Sequence, residues 1–203
     1  MSYRQKVLPL PLKNRTSIAM EYTETEIEGV WVIQPKVFDD ARGYFFEAWK
    51  QAEFDAHIGY HVEFVQDNES MSSRGVLRGL HYQKGESSQA KLVRVIKGKV
   101  LDVAVDLRKD SKTFGKYVMV ELSGENKLQF FIPRGFAHGF LVLSDEAIFT
   151  YKVDNSYAPQ AEASIRWNDE TIGIKWPIEG ENVLLSEKDL NKALSFEEAE
   201  YFE

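Results

Sequence analysis

The strongest constraint on the fold is a strict two-residue period over residues 100–107, VLDVAVDL. Successive side chains of an extended chain point to opposite faces. Leu101, Val103, Val105 and Leu107 therefore make one wholly apolar face. Val100, Asp102, Ala104 and Asp106 make the other, which is small and acidic, as expected where a sheet lines a polar cavity. Similar runs are KLVRVI (91–96), YVMVEL (117–122), LQFFIP (128–133), HGFLVL (138–143) and AIFTYKV (147–153). Turn residues punctuate them: Gly98, Gly115, SGEN at 123–126 and PRG at 133–135. Short strands at such regular spacing predict an all-β sandwich or barrel. An aromatic share of 13% agrees, because aromatic rings suit a pleated face. Helix is expected only over about 49–58 (WKQAEFDAHI) and at the end, LNKALSFEEAEYF (190–202).

At 203 residues the chain suits one domain with a substantial core. Residues 1–19, MSYRQKVLPLPLKNRTSIA, hold four basic residues and no acid, and read as a flexible extension or leader before a single domain at 20–203. The stretch VLPLPL is too short and too Pro-broken for a signal-peptide core or a membrane span, so a cytoplasmic location without membrane association is expected. A net charge of −7 argues against a general nucleic-acid binder. Without cysteine there is no disulfide, no thiolate zinc site and no Cys nucleophile. Histidine chemistry rests on His57, His61, His81 and His138.

His57 and His61 flank a helix end in HIGYH and suit a surface or capping role. His81 and His138 lie in apolar strand context, flanked by Gly75, Gly79, Gly135 and Gly139, which allow close ligand approach. Each could equally be a buried histidine satisfied by hydrogen bonds. Arg78, three residues before His81, would project to the opposite face unless a bulge intervenes. The two-motif metal pattern of jelly-roll barrels is only partly present. Gly75 precedes His81 at the expected spacing, and Pro133, Gly135 and His138 follow the second motif. The second ligand position, however, is Gln83, and with only Glu86 as a further candidate the donors are too few for a tight site. The arrangement resembles a cupin-type jelly-roll barrel of antiparallel strands, with short peripheral helices and its metal ligands replaced. Such a barrel suits acid–base chemistry.

Five ordered segments then resemble the dTDP-4-dehydrorhamnose 3,5-epimerase family: RGLHYQ, QDNES (66–70), IPRGFAHGF, TYKVDNSYAP (150–159) and SIRWNDETIGIKWP (164–177). The likeness runs from about Ile27 to Asp189. It implies a jelly roll working without metal or cofactor, a dTDP-linked 4-keto-6-deoxyhexose as substrate, and a homodimer with sites shared between subunits. Epimerisation beside a ketone needs a base, an enolate stabiliser and an acid on the opposite face. Imidazole titrates near neutral pH and suits the base; a phenol keeps its proton there and suits the acid. The resemblance assigns His81 as base, Asp189 as its orienting carboxylate, Lys91 as the enolate's cation and Tyr151 as acid. On the residues alone, Asp189 reads equally as the N-cap of the final helix. Tyr157 matches the ring that stacks on thymine, while Arg78, Arg42, Glu47, Gln66, Asn68, His138, Glu162 and Lys188 match further substrate contacts. Arg42 and Glu47 would reach a neighbouring subunit's site. Either Asp102 or Asp106 could orient His138, or both could meet turn amides.

The competing readings are a relative inverting a single carbon, a 3,4-ketoisomerase of dTDP-sugars, a non-catalytic ligand-binding cupin and a metal-dependent cupin. Retention of Lys91 and Tyr151 opposes the non-catalytic reading, and Gln83 opposes the metal-dependent one.

Overall fold

A computed structural model describes residues 20–178 and 183–203; the leader at 1–19 lies outside the described residues. The strands, in chain order, are β1 Glu21–Glu24, β2 Trp31–Gln34, β3 Phe38–Asp40, β4 Gly43–Phe45, β5 Gln66–Ser73, β6 Leu77–Gln83 and β7 Lys91–Lys97. They continue as β8 Lys99–Asp106, β9 Tyr117–Ser123, β10 Gln129–Ile132, β11 Phe136–Val142, β12 Glu146–Val153 and β13 Glu162–Ser164. Helix α1 spans Gln51–Ile58 and α2 spans Glu187–Asn191. The strands form a six-stranded sheet, β1-β2-β10-β7-β12-β5, and a five-stranded sheet, β13-β6-β11-β8-β9, with β3–β4 a separate hairpin. Their pairings are antiparallel. The strand spacing predicted a sandwich or barrel, and this is the double-sheet jelly roll that the histidine motifs and the family resemblance implied.

The period-two pattern explains the layers. The inner face of β8, Val100 and Ala104, packs with Val93, Val95, Phe130 and Phe149 of the facing sheet. Its outer face, Leu101, Val103, Val105 and Leu107, is buried too, beneath Ile165, Ile172, Ile174, Phe196 and Ala199. On the other side, Phe54 and Ile58 sit one helical turn apart on α1 and cover Ile33, Leu92 and Phe131 of the six-stranded sheet. Gly59, at φ +89°, ends α1 in the left-handed conformation that a side chain would resist.

The C-terminal expectation needs correction. Only Glu187–Asn191 is α-helical, and a 3₁₀ turn follows at Phe196–Glu198. Between them Leu194 bridges to Ile165, and beyond them Phe202 bridges to Arg108. Burial of Phe196 and Ala199 against the outer face of the five-stranded sheet overrides the helical propensity of LNKALSFEEAEYF. Strand β5 was not evident from its sequence, QDNESMSS, because it carries no apolar alternation. Gln66, Asn68, Ser70 and Ser72 pair with Val153, Tyr151, Phe149 and Ala147 of β12 and so share its inner face. That face is polar because it borders the cavity.

Candidate active site

The cavity lies between the sheets and has a volume of about 310 Å³. The five-stranded sheet contributes Arg78 and His81 from β6 and His138 and Phe140 from β11. The six-stranded sheet contributes Lys91 from β7, Phe149 and Tyr151 from β12, and Asn68, Glu69 and Ser70 from β5. The imidazole of His81 and the phenol of Tyr151 thus belong to opposite walls.

Arg78 and His81 reach the same cavity through an irregularity in β6. His81 pairs with His138 and Arg78 pairs with Phe140, so three residue steps on β6 match two on β11. This extra residue is the bulge needed to bring both side chains to one face. Gly79 makes it feasible. It sits at φ +130°, and a Cβ there would lie 2.5 Å from the Cα of Gly139. A larger residue would force the strands apart. Arg78 Nε donates to Ser72 Oγ at 3.1 Å, which turns the guanidinium toward β5.

His81 Nε2 lies 2.5 Å from Asp189 Oδ1. Asp189 stands in the first turn of α2, and the helix is capped by Ser186, not by Asp189. The Ser186 hydroxyl accepts from the Asp189 N–H at 3.1 Å and donates to Asp189 Oδ2 at 2.8 Å. One carboxylate oxygen is therefore committed to the cap and the other to His81. Burial works against the Asp189 charge, but the hydrogen bonds from His81 and Ser186 outweigh it and hold the carboxyl below its ordinary value. Asp189 is thus an anionic acceptor for the imidazole, and the bond to Nε2 orients the ring with Nδ1 turned away from the carboxylate.

His138 Nε2 lies 2.9 and 3.0 Å from the two oxygens of Asp102. Asp102 is fully buried. An unpaired carboxylate there would cost several kcal/mol, so this bond is required by the fold as well as useful to the site. Burial pushes the Asp102 carboxyl up and the His138 imidazole down, with each partner opposing the shift of the other. Asp106 instead accepts from Arg108, Ser111 and Thr113 in the turn after β8. Burial also pushes the Lys91 ammonium down to about 8, against the opposing charges of Asp102 and Glu162. Burial raises the Tyr151 phenol, so Tyr151 keeps its proton at neutral pH.

The remaining candidates divide into two groups. Tyr157, Glu162, Lys188 and Gln66 are not among the residues lining the cavity but form a polar cluster bonded to one another. The Tyr157 hydroxyl donates to Glu162 at 2.6 Å, Lys188 pairs with the same carboxylate oxygen, and Gln66 donates to Asn68 at 2.9 Å. Burial disfavours the Glu162 charge, but those two donors more than compensate and lower its pKa. Arg42 and Glu47 are not brought to this cavity by their own chain. Arg42 is paired with Asp40 at 2.5 Å on the exposed β3–β4 hairpin, which joins neither main sheet. Glu47 lies 4.0 Å from Lys50. His57 stacks on Tyr22 and His61 pairs with Asp55, both on the surface near α1. Among the described residues, no group of three or more His, Asp or Glu side chains could hold a metal ion. Gln83 turns to backbone partners instead of the cavity.

Among the residues at the site that were not picked out from the sequence are Phe140, Phe149, Ser70 and Ser186. Phe140 and Phe149 lie two residues from His138 and Tyr151, so the strand period places them on the same faces. Ser70 shares the polar alternation of β5 with Asn68. Ser186 carried the N-cap signature, with a helix start directly after it.

A two-sheet jelly roll enclosing a histidine-lined polar cavity defines a cupin-class protein, here equipped with imidazole, phenol, ammonium and carboxylate groups. A family model described as dTDP-4-dehydrorhamnose 3,5-epimerase matches residues 24–198. The chain belongs to this family, and it is an epimerase of the isomerase class. A relative of that name from Shigella flexneri is 55% identical over 183 residues, covering 90% of this chain and 99% of its own. The crystal structure of dTDP-4-dehydrorhamnose 3,5-epimerase from Elizabethkingia anophelis matches with a TM-score of 0.85 at 52% identity, covering 90% of this chain and 99% of that one. That of dTDP-6-deoxy-D-glucose-3,5-epimerase from Legionella pneumophila, in complex with dTDP-4-keto-L-rhamnose, has a TM-score of 0.83 at 50% identity and covers 86% and 92%. No helix among the described residues is long and apolar enough to cross a membrane.

Proposed function

We propose that this enzyme inverts carbons 3 and 5 of dTDP-4-dehydro-6-deoxy-D-glucose to give dTDP-4-dehydro-L-rhamnose, in the biosynthesis of dTDP-L-rhamnose. The observation that carries the reading is the single cavity in which His81, held by Asp189, stands on one sheet while Lys91 and Tyr151 stand on the other. The ketone acidifies the C–H bonds on either side of it. His81 removes the proton from carbon 5 and then from carbon 3. Lys91 balances the charge that collects on the enolate oxygen. Tyr151 returns a proton to carbon from the opposite face, at least at one centre. His138 and Arg78 hold the sugar and the diphosphate, and Gln66, Asn68, Tyr157, Glu162 and Lys188 hold the nucleotide end. Residues 20–203 act as one catalytic domain, located in the cytoplasm. The exposed hairpin would deliver Arg42 and Glu47 to the cavity of a partner subunit in a homodimer. Proton NMR of the purified protein with this substrate tests the assignment: a product inverted at both carbons supports it, and an unchanged sugar overturns it.

The buried ammonium adds a pH dependence. Lys91 is cationic below about 8 and loses its charge as pH rises through that value. The expected kcat/KM profile therefore has an alkaline limb near pH 8. Asp102 opposes this deprotonation and also orients His138. Asp102→Asn is expected to move the limb to lower pH and to reduce kcat about tenfold at neutral pH. An unmoved limb with unchanged kcat and KM would remove Asp102 from the account.

A further inference from the structure

Gln83 ends β6 two residues beyond His81 and is only 4% exposed. Its amide is fully engaged with backbone. Nε2 donates to the carbonyls of Ser87 at 2.7 Å and Ser156 at 3.2 Å, and Oε1 accepts from the N–H of Ala158 at 2.7 Å. Ser156 and Ala158 flank Tyr157, so one buried side chain grips the loop on both sides of that ring. The loop is tied at further points. The Tyr157 N–H donates to Gln66 Oε1 at 3.3 Å, and Asn155 Nδ2 donates to the Glu86 carbonyl at 2.9 Å. The Tyr157 hydroxyl bonds Glu162, the β13 residue that pairs with Gln83.

Tyr157 as a residue is 54% exposed, while the backbone on either side of it is clamped. Exposed loop residues are ordinarily mobile, and ordering them opposes binding. A buried amide with both donors and its acceptor engaged resists movement, because any shift leaves a buried polar group unpaired. Because β6 also carries His81, the clamp ties the height of the ring to the strand that carries the imidazole.

We propose that Gln83 is a positioning residue for nucleotide recognition: it holds Tyr157 ready to stack on the base while leaving proton transfer to other groups. The proposal rests on the reading of Tyr157 as the base-stacking ring. The test compares Gln83→Leu, Gln83→Glu and Tyr157→Ala with the parent enzyme. Substrates are the dTDP-linked keto sugar and the same sugar diphosphate lacking the nucleoside. Gln83→Leu removes every hydrogen bond to the loop. Gln83→Glu keeps only the acceptor for Ala158 and carries the comparison should the leucine variant fail to fold. The expected result is a KM for the dTDP-sugar raised about tenfold with kcat within about twofold, and no change in kcat/KM for the substrate without a base. A fall in kcat at constant KM, or equal losses on both substrates, would overturn the proposal. If Tyr157→Ala raises KM and the Gln83 variants do not, the clamp is refuted and the stacking role stands. If Tyr157→Ala leaves KM unchanged, the stacking role itself fails, and the proposal fails with it.

Discussion

Replacing His81 with asparagine is expected to reduce kcat about 10³-fold, within the range usual for loss of a positioned general base. Asparagine is shorter than the imidazole and withdraws the donor from Asp189 Oδ1, but the Ser186 hydroxyl still donates to Asp189 Oδ2 and water can fill the space opened at the solvent-accessible side. The side chain it replaces is one-third exposed, so no large cavity opens in the core. The account therefore requires a loss of turnover with little change in thermal stability or in the affinity for dTDP. Turnover measured by NMR and dTDP binding measured by calorimetry separate the two effects. A variant with near-normal kcat would show that some other group takes the proton.

Tyr151→Phe is expected to reduce net inversion about 10²-fold. The substitution keeps the ring, its place on β12 opposite Asn68 and its contact with Phe149 at 6.1 Å between centroids. Only the hydroxyl is lost. Burial keeps that hydroxyl protonated, as an acid in this position must be. Lys91 and His81 remain, so the variant should still form the enolate. Its defect lies in delivering the proton to the far face, and KM should change little. A parallel loss of dTDP affinity would instead identify Tyr151 as a binding group.

Much of this architecture was legible in the chain, for a local reason. The alternation in β8 and β12 places Asp102 inward with Val100 and Ala104, and Phe149 inward with Tyr151. A pairing of His138 with an aspartate of β8 was among the readings of the sequence, although the choice between Asp102 and Asp106 needed the turn at 108–113 to be seen. The contact between His81 and Asp189 spans 108 residues, and no spacing rule links such distant positions. The resemblance to a family supplied that pair. The bulge at Gly79 reverses the facing that Arg78 would have in a regular strand, and it depends on how closely Gly139 approaches from β11. Strand β5 was hidden because its inner residues serve the cavity and are polar. The final segment looked helical from its local propensity, which the long-range contacts with Ile165 and Arg108 override.

The central claim is that an imidazole on one sheet and a phenol on the other exchange protons with the same sugar across one cavity. Incubation with the dTDP-4-keto sugar in deuterated water, with label and configuration read at carbons 3 and 5, addresses it most directly. The account predicts label with inversion in the parent enzyme, label without net inversion for Tyr151→Phe, and neither for His81→Asn. Label entering at the parent rate in His81→Asn, or full inversion in Tyr151→Phe, would contradict it.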